Sequence, residues 1–292
     1  MKKIFFLILL VCAFISGSAL AIPPIPEIPP FPTIISNGNT YHIDKDNGSD
    51  SNDGSASYPW STIQHGINQL TAGDTLIIHE ASFPYDLPSN GSVLKIDKAG
   101  TIDNWITIQG AESEKVILRT VDQMADSYEG LHLGINAKYI FIKNLLINGP
   151  GRNHIVVESG SNNLAFNNIE IDCESNNTNY SGIWISGGVN NVWFKDLDIH
   201  HCGYSKTNPT DCSGVCLKDP SISEVTFLNV TVRDNKGDGI GTGSDPATPA
   251  GSVYCDGCTA SNNMGDGFDI TSSTQVVGLY HNIVNLKNII TS

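Results

Sequence analysis

Basic residues are scarce in this sequence. The 292-residue chain has 16 lysines and arginines against 30 aspartates and glutamates, which gives a formal net charge of −14 at pH 7. A surface this acidic repels the phosphate backbone, so nucleic acid is excluded as an expected partner. The same carboxylates suit hard cations such as calcium, which take oxygen ligands.

Long apolar runs are also lacking, except for one near the N-terminus. Two lysines precede the apolar stretch 4–15, and small residues follow it. This layout is typical of a secretory signal peptide over 1–21, with cleavage after Ala21. The stretch is too short to cross a bilayer comfortably, so we expect no membrane partner and a secreted or periplasmic protein.

Proline is concentrated in the segment after the signal. Residues 22–40 begin I-P-P-I-P-E-I-P-P-F-P, which predicts an extended, proline-rich spacer. Such a spacer would hold the next domain away from the export machinery or a surface. We place a single domain over 41–292.

The first part of that domain, 41–80, has the pattern of a cap. It predicts a short strand at 41–43 and an amphipathic helix over 61–70, with Ser61 as the N-cap. The acid-rich loop 44–54 does not match EF-hand spacing, so its acids are expected to stabilise turns, with an adventitious calcium ion as the alternative. The helix would plug the open end of a solenoid.

The rest of the chain repeats. Five segments share a template of alternating apolar residues that is interrupted at its fifth position, and they recur every 24 to 33 residues. Alternation predicts strands with one face in a core, and the interruption predicts a bend. Such repeats predict an all-β, right-handed parallel β-helix with a short N-terminal capping helix, in which an inward asparagine bonds its equivalent one coil on. The fifth positions are Asn144, Asn168, Asp196, Asn229 and Gly257.

The cysteines of the mature chain all lie in its second half, and their even number permits disulfides in an exported protein. Cys173 and Cys202 end successive coils and could bridge, with Cys202–Cys212 as a rival pairing. The repeat places Cys255 and Cys258 at core positions, where cysteine behaves as a small hydrophobe. For Cys202, Cys212 and Cys216, the alternative to disulfides is a zinc site that also includes His200 and His201, although its spacing matches no usual pattern.

A second repeat carries acids. The glycines at 182, 214, 239 and 267 align, and the residue before them is aspartate at Asp238 and Asp266. Neighbouring parallel strands lie about 4.8 Å apart, so Asp238 should lie beside Asp266, with Asp269 on the same strand as Asp266. Three ionised carboxylates this close repel one another unless a cation such as Ca²⁺ binds them. The alternative is that each Asp-Gly pair only stabilises its own turn.

The stretch N-N-M-G-D-G-F-D-I at 262–270 resembles the calcium-site strand of the polysaccharide lyase family 9 pectate lyases. The resemblance covers roughly the whole domain. It implies that Asp266 and Asp269 correspond to calcium ligands, with Asp238 as the ligand from the preceding coil. The family usually has a further Asp where this chain has Gly265.

The same resemblance implies a β-elimination. Calcium would bridge protein acids and the C6 carboxylate of a galacturonate unit in pectate, a lysine would remove the C5 proton, and the O4 bond would break. The strand with the family's lysine should begin 25 to 28 residues after Asp266, at or beyond Ser292. Lys287 falls in the wrong part of its coil, so the catalytic residue stays unknown and C-terminal coils are expected to be missing.

Three functions are therefore open. The first is a calcium-dependent pectate (polygalacturonate) lyase-like protein, or an N-terminal fragment of one, whose enzymatic status depends on that lysine. The second is a non-catalytic secreted β-helix that binds acidic polysaccharide. The third is a lyase or epimerase for another uronate polymer, such as alginate. We expect a monomer, in which Lys218, Arg233 and Lys236 either contact substrate carboxylates or are solvated surface charges.

Overall fold

The computed structural model describes residues 27–87, 94–120, 129–149, 153–174, 181–203, 212–218, 221–241, 253–269, 276–280 and 283–284. The predicted signal peptide lies outside these residues. Within them, no helix has the length and apolar character that a bilayer crossing requires. The same ranges contain one helix, α1 (Ile63–Gln69), and the strands β1 (Thr40–Ile43), β2 (Thr75–Ile78), β3 (Tyr85–Asp86), β4 (Leu94–Ile96), β5 (Ile106–Gly110), β6 (Ile117–Arg119), β7 (Glu129–Leu133), β8 (Lys138–Asn148), β9 (Asn153–Val157), β10 (Asn162–Asp172), β11 (Ile183–Ile185), β12 (Asn190–His200), β13 (Cys212–Leu217), β14 (Ser223–Arg233), β15 (Asp238–Gly241), β16 (Val253–Asp256), β17 (Thr259–Ser261), β18 (Phe268–Asp269), β19 (Val276–Tyr280) and β20 (Ile283–Val284).

Successive coils stack their strands into two parallel sheets, which confirms the predicted right-handed parallel β-helix. The larger sheet runs β1-β2-β5-β8-β10-β12-β14-β16-β19, and the smaller one β4-β7-β9-β11-β13-β15-β18. The order along each sheet follows the order along the chain, because each coil adds its strand beside the previous one. A solenoid buries one continuous core in this way.

The apolar template positions face that core, as predicted. Phe166 pairs with Phe194, and Phe194 with Phe227, on adjacent strands of the larger sheet. Their rings are buried and stacked, with centroids 4.9 and 5.3 Å apart. The spacing of parallel strands is close to the separation that aromatic rings prefer, so one residue type repeats through the core without a gap.

The fifth template position forms a corner of each coil, but it faces outward. Asn168 donates from Nδ2 to Oδ1 of Asn144 at 3.0 Å, and Asn229 donates from Nδ2 to Oδ1 of Asp196 at 2.7 Å. Both donors are exposed. The prediction of an inward ladder is wrong because these residues have φ between 52° and 59°, and a left-handed residue breaks the strand alternation on which the prediction relied.

The N-terminal cap is a short helix, as predicted, and α1 packs against β1, β2 and β4 at the end of the stack. Its N-cap is Thr62 rather than Ser61, and Thr62 makes no side-chain capping bond. Oδ1 of Asp50 instead accepts the N–H groups of Ser61 and Thr62 at 3.0 and 2.9 Å. The acid-rich loop therefore holds the two residues that precede the helix, through Asp50.

The proline-rich spacer does not stand away from the domain over its described part. Phe31 packs edge-on against Phe141 on the outer face of the larger sheet, with ring centroids 5.9 Å apart. Oγ of Ser36 donates to the carbonyl of Trp105 at 2.9 Å. The expected spacer therefore lies against the domain at Phe31 and Ile34, which contact an apolar cluster on that face.

Disulfides join the later coils. Cys173 is bonded to Cys202, which confirms that pairing and excludes the rival Cys202–Cys212. Cys255 and Cys258 are buried at the predicted core positions, but they are bonded to each other rather than free. The coil corner lies between these two cysteines, so the three-residue spacing still lets their sulfurs meet.

We predict that Gly257→Asn is tolerated and raises the free energy of unfolding by up to about 1 kcal/mol. Gly257 has φ 67°, and a Cβ there would meet only atoms of Asn229, at 3.6 Å or more. Asparagine tolerates a left-handed backbone, and at this corner it would continue the row of hydrogen-bonded Asn and Asp side chains. Chemical denaturation measures the change, with Gly257→Val as the strained control. An Asn variant as unstable as the Val variant would contradict the ladder.

His154 is a fully buried histidine between two coils. Its Nε2 lies 2.9 Å from the carbonyl oxygen of Gly149, and its Nδ1 lies 3.3 Å from Sγ of Cys173. Burial lowers its pKa to about 4, against weaker opposing effects of the Gly149 carbonyl and of Asp172. His154 is therefore neutral in the folded protein at a pH at which an unfolded histidine takes up a proton.

We predict that His154 makes the fold sensitive to acid. As the pH falls below about 6.5, the unfolded chain is protonated at this position and the folded chain is not, so the free energy of unfolding falls, by on the order of 3 kcal/mol in total. Denaturation curves over this range should depend less on pH in His154→Gln than in the unsubstituted protein. His65→Gln, on the cap helix, is the control. An unchanged pH dependence in His154→Gln would refute the assignment.

Candidate functional site

The two stacked acids lie on adjacent coils of the smaller sheet. β15 begins at Asp238, and Asp266 lies just before β18. The strands pair at Ile240 and Phe268, which places Asp238 beside Asp266. The predicted adjacency of these two acids is therefore confirmed.

The aligned glycines reflect close packing between the coils. A Cβ on Gly239 would collide with the carbonyl oxygen of Gly267 on the next coil, so this position excludes any side chain. The alignment has one irregularity, because the register between β13 and β15 shifts after Cys212. Cys212 rather than Ser213 is then the ladder partner of Asp238.

Asp238 is buried, with 3% of its surface exposed. Its Oδ1 accepts the backbone N–H of Asp266 at 2.8 Å. A Cβ on Gly265 would collide with the same Oδ1. The Asp238 carboxylate therefore occupies the space of a side chain at Gly265, the position at which the family pattern has an acid.

The three acids differ in what they offer a cation. The side chain of Asp266 is half-buried, whereas Asp238 is buried beneath it and already hydrogen-bonded. The backbone of Asp269 pairs with Gly241, and its side chain lies outside the described residues. Carboxylate oxygens are the donors that calcium prefers, so the acids fit that ion in donor type, and the full ligand set stays a prediction.

The three basic residues that are predicted to contact substrate carboxylates lie in different surroundings. Lys218 follows β13, and its Nζ lies 5.7 Å from the ring centroid of Trp184. Lys236 lies in the turn before β15, where its backbone N–H donates to the Cys202 carbonyl at 2.8 Å. Arg233, at the end of β14 in the larger sheet, is held in ion pairs.

Arg233 donates to both oxygens of Asp198, from Nε at 3.0 Å and from Nη2 at 2.8 Å, and from Nη1 to Asp234 at 3.2 Å. Hydrogen bonding to Asp198 is the main reason that its pKa is raised. A guanidinium with two carboxylate partners has fewer donors for a substrate. Lys287 lies outside the described residues, and the catalytic residue stays unknown.

The five residues of the alternative zinc site cannot all act as ligands. Cys202 is bonded to Cys173, and Cys216 is also disulfide-bonded, so neither sulfur is a ligand. His200 and His201 instead meet Asp172 from the preceding coil. Asp172 is not among the residues predicted from the sequence, although the 28-residue step of the template places it beside His200.

The architecture is that of the polysaccharide-lyase-like parallel β-helices. Residues 41–291 match the family described as "Pel9A-like, right handed beta helix region", so the chain belongs to this Pel9A-like β-helix family. No curated protein matches the sequence.

Several solved structures share the fold. One is the pectate lyase Pel9A, with a TM-score of 0.61 and 18% identity over 79% of this chain and 55% of that one. A rhamnogalacturonan lyase has a TM-score of 0.55 and 14% identity over 80% and 62%. The GH136 lacto-N-biosidase from Eubacterium ramulus has a TM-score of 0.50 and 14% identity over 79% and 55%. The chain thus spans 55% to 62% of the length of these relatives.

We predict that Gly265→Ala lowers the free energy of unfolding by about 1–3 kcal/mol, because the new methyl group would collide with the Asp238 carboxylate and press on the backbone of Gly237 and Asp238. The double variant Gly265→Ala/Asp238→Ala should lose less than the sum of the two single variants, since it removes one partner of the clash. Chemical denaturation of the four proteins of this cycle gives the coupling. Strictly additive losses would contradict the packing.

Proposed function

We propose that this chain is a calcium-dependent, pectate-lyase-like protein of the family 9 type, or the N-terminal part of one, that acts on an acidic polysaccharide by β-elimination. The observation that carries the proposal is the adjacency of Asp238 and Asp266 on successive coils of a Pel9A-like β-helix. The pectate and rhamnogalacturonan lyases among the similar structures support it.

The net negative charge of the chain is a reason to expect a cation between the protein and an acidic substrate. A protein with a net charge of −14 and a polyuronate repel each other, so a divalent ion between them supplies the missing attraction. Calcium takes about six to eight oxygens in a flexible geometry, which leaves room for substrate carboxylates. When bound, the ion would polarise the C6 carboxylate of a uronate and make the C5 proton more acidic.

The acids divide this work between them. Asp238, Asp266 and Asp269 would hold the ion. Asp238 would also position Asp266, because its Oδ1 accepts the Asp266 N–H at 2.8 Å and is enclosed beneath Gly265. The general base is unassigned.

An exported protein is part of the proposal. The disulfides Cys173–Cys202 and Cys255–Cys258 support it, because such bonds persist in oxidising compartments. The N-terminal pattern of 1–21 supports secretion or export to a periplasm.

A non-catalytic β-helix that binds acidic polysaccharide is the second candidate. Gly265 favours it, because one acid of the family pattern is absent there and Asp238 occupies the space. A lyase or epimerase for another uronate polymer shares the C5 proton abstraction and differs in its substrate. One assay separates the three.

We predict that the purified chain binds calcium, and that a protein with the lysine of the family pattern forms unsaturated oligogalacturonides from polygalacturonate when calcium is present. Ultraviolet absorbance of the unsaturated product measures the reaction, and calorimetry measures the ion. Asp266→Asn should weaken calcium binding at least tenfold, because it removes a charged ligand. Asp196→Asn is the matched control, since it makes the same change in the corner ladder of the larger sheet.

Each outcome selects one function. Calcium-dependent binding of polygalacturonate, without unsaturated product from a protein that has the lysine of the family pattern, identifies the non-catalytic candidate. Unsaturated product from alginate alone, or epimerised alginate, identifies the third candidate. A chain that binds no calcium, or an Asp266→Asn variant that binds it as tightly as the unsubstituted chain, would refute the calcium site.

A further inference from the structure

Three metal-binding atoms converge on the larger sheet, away from the acid pair. Nδ1 of His200 lies 2.9 Å from Nδ1 of His201. Oδ1 of Asp172 lies 2.9 Å from Nδ1 of His201 and 3.5 Å from Nδ1 of His200. Ligand atoms at tetrahedral zinc, with bonds of about 2.0–2.1 Å, are about 3.3 Å apart. The triangle therefore has the size of one face of such a tetrahedron.

The coil corner explains why two consecutive histidines meet. His200 ends β12 and pairs with Asp172 on the preceding coil. Consecutive residues of a straight strand point to opposite faces, but His201 has φ 58° and stands at a left-handed corner. The two rings are consequently near each other, with centroids 4.6 Å apart and planes at 87°.

One assignment of the histidine tautomers places a single proton among Nδ1 of His200, Nδ1 of His201 and Oδ1 of Asp172. Oε1 of Glu170 lies 3.3 Å from Nε2 of His200, and an N–H assigned there leaves Nδ1 of His200 bare. An N–H assigned to Nδ1 of His201 would then lie between that bare nitrogen and the Asp172 carboxylate, which also accepts the Glu174 N–H at 3.1 Å. A divalent cation in place of the proton would satisfy all three lone pairs. The Glu170–His200 contact is of the kind that orients a metal-bound imidazole.

The site is enclosed on the side of His200 and open to solvent on the side of His201 and Asp172. The His200 side chain is 5% exposed, whereas those of His201 and Asp172 are 42% and 30% exposed. Arg233, the ladder partner of His200 on the next coil, is the nearest cationic residue along the ladder. Its charge is balanced by the bidentate hydrogen bonds to Asp198.

A disulfide fixes the two coils beside the cluster. Cys173 follows Asp172, Cys202 follows His201, and the two cysteines are bonded to each other. The bond holds the ligands in register before any ion arrives, which reduces the entropy lost on binding. It also removes both sulfurs as competing ligands.

We propose that Asp172, His200 and His201 form a binding site for a zinc-class divalent transition metal ion, with a fourth position open to water or to a ligand oxygen. Two imidazoles and one carboxylate favour zinc over calcium, which takes oxygen ligands. The site lies on the other sheet from Asp238 and Asp266 and does not depend on the proposed function.

Equilibrium dialysis of the metal-stripped, disulfide-intact chain against Zn²⁺ in excess Ca²⁺ tests the site. We expect one zinc ion per chain. His201→Asn should weaken binding at least tenfold, and Asn suits the left-handed corner, so the fold is kept. Glu170→Gln should weaken it about tenfold, through the orientation of His200. Substitution with Co²⁺ should give the absorption bands of a four-coordinate ion.

A second histidine pair provides a matched control. Nδ1 of His42 lies 3.0 Å from Nε2 of His79, and Nδ1 of His79 lies 3.2 Å from Oε1 of Glu114. His79 uses its two nitrogens on opposite sides of the ring, so the three residues do not face one point. His79→Asn should leave zinc binding unchanged, and so should Asp266→Asn.

Several outcomes would overturn the site. One is an unsubstituted chain that binds no zinc in excess calcium. Another is a His201→Asn variant with unchanged affinity. A third is an equal loss in His79→Asn, which would indicate non-specific binding to histidines. Loss of zinc in Asp266→Asn would place the ion at the acid pair instead.

Discussion

Parallel backbone hydrogen bonds hold each coil one strand spacing, about 4.8 Å, from the next, and the rest of the structure depends on this constraint. Every side chain of a strand has its equivalent from the neighbouring coil as a close companion. Identical apolar or amide groups benefit from this arrangement, as the stack of Phe166, Phe194 and Phe227 and the Asn168–Asn144 pair show. Identical charges do not, because like charges at this distance repel.

Stacked acids therefore need compensation, and the two sheets supply it differently. Glu170 is the ladder partner of Asp198 in the larger sheet, and the Arg233 guanidinium binds both oxygens of Asp198. In the smaller sheet, Asp238 lies beside Asp266 and accepts its backbone N–H. Carboxylates are the ligands that calcium prefers, so the acid pair of the smaller sheet is the candidate for that cation under the proposed function.

Sequence reasoning succeeds where the two-residue alternation holds and fails at the corners. The two repeats predict the fold and the adjacency of the stacked acids and offer Cys173–Cys202 as one of two pairings, because each depends only on the coil register. The same register places Asp172 beside His200. Neither the outward asparagines nor the approach of His201 to His200 follows from it, since a left-handed residue breaks the alternation. The packing of the spacer depends on contacts between distant segments, which no local pattern encodes.

Gly265 and the burial of Asp238 are two aspects of one feature. With no side chain at Gly265, the Asp238 carboxylate occupies the space and bonds the Asp266 N–H. Under the proposed function, Asp238 positions Asp266 as well as offering its own carboxylate, and the acid of the family pattern is absent at Gly265. Fewer protein carboxylates would surround the ion, and a larger share of its oxygen ligands would come from water and from the substrate. Calcium and polyuronate would then bind cooperatively, since each completes the site of the other.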